Sequence, residues 1–141
     1  MNSETLRPLV ITTTMVLAVS IAHVAQARTF RCGNQDVQCL ILSIDEANAN
    51  GHGKNTIRLE GDTYTLRDVN NDTDGPNGLP SITSTLTIVA TDAALISRDS
   101  SASAFRLFHV AASGHLTLER VVLSNGRAGN GGGGLLNKVG R

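Results

Sequence analysis

From Thr56 onward apolar and polar positions alternate in a series of short runs. Between Asp36 and Asn50 the apolar residues fall at helical intervals instead. Leu40, Ile44 and Ala47 share a face at i, i+4 and i+7, with Ile41 beside them, while Asp45, Glu46 and Asn48 face away. Asp36 is placed to cap the first turn, and Gly51 to end the helix in a left-handed conformation. Beyond it the period falls to two. Thr56-Ile57-Arg58-Leu59 and Thr63-Tyr64-Thr65-Leu66 flank Glu60-Gly61-Asp62, a pattern that predicts two strands meeting at a tight turn. Asp68 to Pro80 is dense in Asn, Asp, Gly and Pro and reads as a loop. Short strands are expected at Leu86–Val89, Leu95–Ser97, Phe105–Val110, Leu116–Leu118 and Val121–Leu123.

The strands repeat. Leu86-Thr87-Ile88 returns thirty positions later as Leu116-Thr117-Leu118, and Ala94-Leu95-Ile96-Ser97 returns twenty-seven positions later as Val121-Val122-Leu123-Ser124. Paired short strands at such an interval mark a chain that stacks on itself. The gaps are too short, and too rich in Ser, Gly and Asp, for helical crossovers. The expected fold is therefore all-β: a parallel β-helix of few rungs with an N-terminal capping helix. A small antiparallel sandwich is the competing fold. The helix suits the first, because an open rung exposes apolar side chains and unpaired backbone that a cap must cover.

Several blocks carry a resemblance. They are Phe30-Arg31-Cys32-Gly33, Cys39-Leu40-Ile41, Glu46 to Gly51, Asn55 to Leu59, Thr63 to Leu66, Asn77 to Ser84, Phe105 to Val110 and the run Gly131 to Asn137. In this order they resemble the N-terminal portion of secreted right-handed parallel β-helix proteins, of the pectate-lyase-like and polymorphic-outer-membrane-protein-like kinds. The resemblance implies a bacterial, exported, surface or extracellular protein. Such proteins usually run through many more rungs, so the segment 56–141 is expected to be a truncated stack.

The N-terminus reads as an address. Residues 1–8 are polar with Arg7, residues 9–22 form an uncharged, mostly apolar run, and Ala25-Gln26-Ala27 is a small-x-small cleavage pattern. An uncleaved anchor or buried helix is the alternative, but the run is short for a membrane span. The expected organisation is a signal peptide over 1–27, a cap with a short helix over 28–55, and rungs over 56–141, with no membrane span in the mature chain. Export bears on Cys32 and Cys39, the two cysteines of the chain. In an oxidising compartment so close a pair is most simply a disulfide, with two buried free thiols as the alternative.

Composition removes other options. The 12 basic and 12 acidic residues cancel, which excludes a nucleic-acid binder that works by displacing counterions. Aromatics make up 3% of the chain, so the core must be aliphatic.

Candidate chemistry is sparse. Asn70, Asp72 and Asp74, followed by Gly75, have the alternate oxygen ligands and turn glycine that open a calcium loop. Ser81 stands where a bidentate Glu is wanted, and a solvated turn explains the same residues. Asn71-Asp72-Thr73 is also a glycosylation sequon. Gly51-His52-Gly53 matches a short motif of the polygalacturonase branch, but it precedes every rung. Gly129 to Gly134 formally fits a phosphate-binding loop, yet lacks room for the helix that must follow. His109 and His115 flank a turn without a neighbouring carboxylate and read as surface or edge residues. Asp62, Asp92, Asp99 and Glu119 are scattered, and Asp92, Asp99, Arg98 and Arg106 are the set nearest to a lyase cluster. No G-x-S-x-G elbow supports a nucleophilic triad.

The expected function is an exported structural or binding module presenting Asn, Ser and Thr to carbohydrate or surface proteins, without a cofactor. The alternative is a fragment of a β-helix polysaccharide lyase or glycoside hydrolase.

Overall fold

A computed structural model describes residues 26–51, 53–129 and 131–138. The signal segment expected over 1–27 lies almost entirely outside the described residues.

The described chain is mostly strand, with one helix. In order it runs β1 (Thr29–Cys32), α1 (Val37–Ala49), β2 (Asn55–Leu59), β3 (Thr63–Leu66), β4 (Thr85–Arg98), β5 (Phe108–Val110), β6 (His115–Ser124) and β7 (Leu135–Asn137). Every pairing between these strands is parallel. β4 is the spine. Its first part pairs with β2, its second part with β3, and β6 pairs with both parts. A register shift between Val89 and Ala94 lets β4 turn a corner, so the sheet curls. A second, two-stranded sheet joins β5 to β7, and single bridges set Asn77 beside Arg106 and Ile82 beside Val110.

The repeats read from sequence are the register itself. Leu86 pairs with Leu116 and Ile88 with Leu118, while Ala94 pairs with Val121 and Ser97 with Ser124. Alternation then sorts the side chains. Ile57 and Ile88 are neighbours and wholly buried, as are Tyr64 and Ile96. Each such aliphatic side chain removed from water contributes about 1.5–3 kcal/mol. The partners between them in sequence, such as Thr56 and Thr87, face solvent.

Helix α1 lies against β1, β2 and β3 and buries Leu40, Ile44 and Ala47. Asp36 caps it by accepting from Cys39 N at 2.9 Å, and Gly51 beyond its end has φ +68. Two asparagines fix it in place. Asn55, itself buried, donates to the Ala47 carbonyl at 3.2 Å, satisfying an acceptor of the last turn. Asn48, expected to face solvent, is half-buried; its side chain donates to Ser81 O and accepts from Thr83 N, both within 2.9 Å. Cys32 and Cys39 form a disulfide that ties β1 to the first turn of α1.

Other expectations need correcting. β2 and β3 do not pair across a turn; each pairs separately with β4. The strands expected at Leu86–Val89 and Leu95–Ser97 are one bent strand, and so are those at Leu116–Leu118 and Val121–Leu123. The strand expected over Phe105–Val110 is regular only from Phe108, because Arg106 is held by a lone bridge. β1 and β7 were not anticipated as strands; each is too short for an alternation to stand out.

Candidate functional site

Two polar regions result from this arrangement. The first is at the corner where β4 bends. Leu59 pairs with Ala90, so the turn after β2 lies beside the bend, and together they line an open groove of about 310 Å³. Arg31 and Arg58 are register partners on adjacent strands and both enter it, together with Glu60, Asp62 and Asp92. Arg31 Nη1 is 2.7 Å from Glu60 Oε1. Asp62 and Asp92, thirty positions apart in sequence, therefore share one groove; Asp99 and Glu119 do not line it.

The second region is built on the loop between β3 and β4. Asn77 is wholly buried there, and its side-chain nitrogen donates to Asn71 Oδ1, Thr73 O and Gly75 O at 2.8–2.9 Å. Three acceptors surround that atom, so it must be the nitrogen of the amide. Alternate positions do converge in this loop, but on the odd register of 71, 73 and 75. Of the calcium candidates, Asn70 and Asp72 are exposed, and Asp74 turns elsewhere. Among the described residues no group of three or more His, Cys, Asp and Glu is gathered as a metal site.

Asp74 reaches β5. Its Oδ2 is 3.1 Å from His109 Nε2, and its Oδ1 is 3.2 Å from Lys138 Nζ, just past β7. The other face of the His109 ring meets Ser81 Oγ at 2.9 Å through Nδ1. The Lys138 ammonium, with help from His109, holds the Asp74 carboxyl below its ordinary value of 3.8. His109 is 1% exposed. It was expected to be a surface residue without a carboxylate; the loop covers it and supplies one. His115 is exposed, and pairs with Thr85 rather than lying beside His109.

The remaining candidates are dispersed. Arg98, 5% exposed, lies 5.9 Å above the Phe105 ring. It donates through Nη1 to the carbonyls of Asp99 and Ala102, and through Nε to that of Asn125. Arg106 is buried against the Gly75 turn. The Asp99 carboxylate accepts from the Ser101 hydroxyl and N–H, which with Arg67 lower its pKa from 3.8. Asp92, in the corner groove, is apart from these three. His52 and Asn130 lie outside the described residues. The glycine run has a steric cause: a Cβ at Gly126 would strike Gly133 O, and one at Gly133 would strike Gly126 O.

Chain order alone could not reveal the Ser81–His109–Asp74 contact. Its only signal was that Ser81 and His109 precede Ile82 and Val110, which the fold makes bridge partners.

No protein-family model, no curated protein and no solved structure matches the chain. The residues themselves carry the functional reading.

Proposed function

We propose that this chain is an exported structural or binding module, built as a right-handed parallel β-helix with an N-terminal capping helix, and that it acts at the cell surface or outside the cell. The reading takes the family to be the one the sequence resembles, and carbohydrate or a surface protein to be the partner. The observation that carries it is one column of side chains. Thr29 pairs with Thr56, Thr56 with Thr87 and Thr87 with Thr117, all on the solvent side of the parallel sheet. Adjacent strands lie about 4.8 Å apart, so the column offers hydroxyls at a constant interval on a stiff surface. Two residues further along their strands, Arg31 and Arg58 repeat beside it. A polysaccharide repeats its hydroxyl and carboxylate groups at a comparable interval and can bind such a face along its length. The Cys32–Cys39 disulfide suits an oxidising compartment.

The test is retention on immobilised neutral and acidic polysaccharides, comparing the natural chain with the Thr56→Val, Thr87→Val double variant. The natural chain is expected to be retained by an acidic polymer, and the variant to elute at least fivefold earlier with its melting temperature unchanged. Failure of the natural chain to bind any of the polymers overturns the carbohydrate reading.

A lyase or hydrolase reading draws on the corner groove, where Arg31, Arg58, Glu60, Asp62 and Asp92 meet. It requires unsaturated or hydrolysed product from polygalacturonate in the presence of calcium. Product formation would replace the binding reading with the enzymatic one.

A further inference from the structure

We propose that Ser81 is a nucleophile activated by His109 and Asp74, able to take an acyl group from a small ester. The proposal is independent of the carbohydrate reading and rests on a hydrogen-bonded line that joins Asp74 and Ser81, both of the loop between β3 and β4, through His109 of β5.

The proton positions follow from what each group can do. An ionised carboxylate only accepts, so His109 Nε2 must carry the hydrogen that faces Asp74 Oδ2 at 3.1 Å. That leaves Nδ1 as an acceptor, 2.9 Å from Ser81 Oγ. The hydroxyl has one other acceptor within reach, Asn71 Oδ1 at 3.3 Å. This oxygen already accepts from Thr73 N and from the Asn77 amide, at 3.2 and 2.9 Å, which occupies both of its lone pairs. The Ser81 proton therefore points at Nδ1. Lys138 on the far oxygen of Asp74 keeps that carboxylate ionised and the tautomer fixed.

The ring is turned end for end relative to the familiar triad, in which Nε2 faces the serine. The logic of base and orienting group is the same, because triads are recognised by geometry and role. Ser81 is half-buried, while His109 is enclosed. Among the described residues the Ser81 N–H donates to no partner, and a backbone N–H of this kind is what an oxyanion requires.

The reaction closes on water. Ser81 Oγ bonds to the carbonyl carbon of the ester as its proton passes to Nδ1. The bond from that carbon to the alcohol oxygen breaks, and the alcohol leaves with the proton from Nδ1. Water then attacks the acyl-serine by the same route, releasing the carboxylic acid and restoring the hydroxyl.

Treatment of the folded chain with a fluorophosphonate, followed by peptide mapping, tests this. The expected result is a phosphonyl adduct on Ser81 formed at least tenfold faster than on the exposed Ser100, Ser101 and Ser113, and lost when the chain is first unfolded in urea. His109→Gln is expected to remove the preference for Ser81, and Asp74→Asn to slow the labelling by up to about 10⁴-fold, as loss of the orienting carboxylate does in a triad. Equal labelling of all four serines, no adduct on Ser81, or labelling unchanged by unfolding each overturns the proposal. The comparison within the natural chain decides the matter even if His109→Gln fails to fold.

Discussion

The Tyr64 hydroxyl donates to the Cys32 carbonyl at 2.8 Å, beneath helix α1 and wholly out of solvent. The contact joins β3 to β1, strands that share no pairing of their own. Tyr64→Phe leaves the Cys32 carbonyl with the Glu60 N–H, which also donates to it at 2.8 Å. The expected cost is therefore about 1 kcal/mol, read as a lower midpoint in urea.

The same residue sets an alkaline limit. Burial raises the Tyr64 pKa above its ordinary value of 10.0, so on raising the pH the unfolded chain loses this proton first. The unfolded state then binds fewer protons than the folded one, and stability falls with pH between 10.0 and the folded value. Tyr64 is the only tyrosine of the chain, so tyrosinate absorbance reports on it alone. Its ionisation is expected to lag in the native chain and to return to normal in urea, and Tyr64→Phe should remove its share of the alkaline slope.

At the acid end the sign reverses. Lys138 and His109 depress the Asp74 pKa below 3.8, and Ser101 and Arg67 do the same for Asp99. These carboxylates contribute fully above pH 3.8, and the contribution is lost as pH falls through their lower folded values. Asp74→Asn should leave the stability profile flatter below about pH 4. Equilibrium unfolding at a series of acid pH values checks it. An unaltered slope would mean that the Lys138 contact is not maintained in solution.

Reduction of Cys32–Cys39 reopens a short loop. The chain-entropy model assigns it about 2–3 kcal/mol. The Cys32→Ala, Cys39→Ala double variant and the reduced natural chain should therefore melt at similar, lower temperatures in a calorimeter.

The glycines near β7 give a matched pair. At Gly133 an added methyl meets the backbone of Gly126, whereas at Gly129 it meets nothing within 4 Å. Gly133→Ala is expected to cost about 1–3 kcal/mol, and Gly129→Ala less than about 0.5 kcal/mol. Thermal melts of the two variants suffice. Equal effects would show that crowding is not what the glycines relieve.

What was legible in the sequence was local or periodic. Leu40, Ile44 and Ala47 announce a helix whose caps stand at Asp36 and Gly51, and Leu86-Thr87-Ile88 against Leu116-Thr117-Leu118 announces a register. Short apolar runs say little about their partners, so β2 and β3 looked like a hairpin. The side-chain line from Ser81 through His109 to Asp74 was not legible, because a loop of thirteen residues, eleven of them polar, Gly or Pro, has no period from which to infer what it covers. The cysteine pair was legible for the opposite reason: seven positions of chain can hardly separate two thiols.

The paired strands lie 27–32 residues apart in sequence throughout. Distance along the sequence between contacting strands therefore does not grow as passes accumulate, and closing each new one costs about the same entropy as the last. Folding is expected to spread outward from the end that α1 covers, like a zip started at its stop. Damage at a single residue, such as Gly133→Ala beside β7, should remain confined to its immediate neighbours and leave the helical end protected against hydrogen exchange.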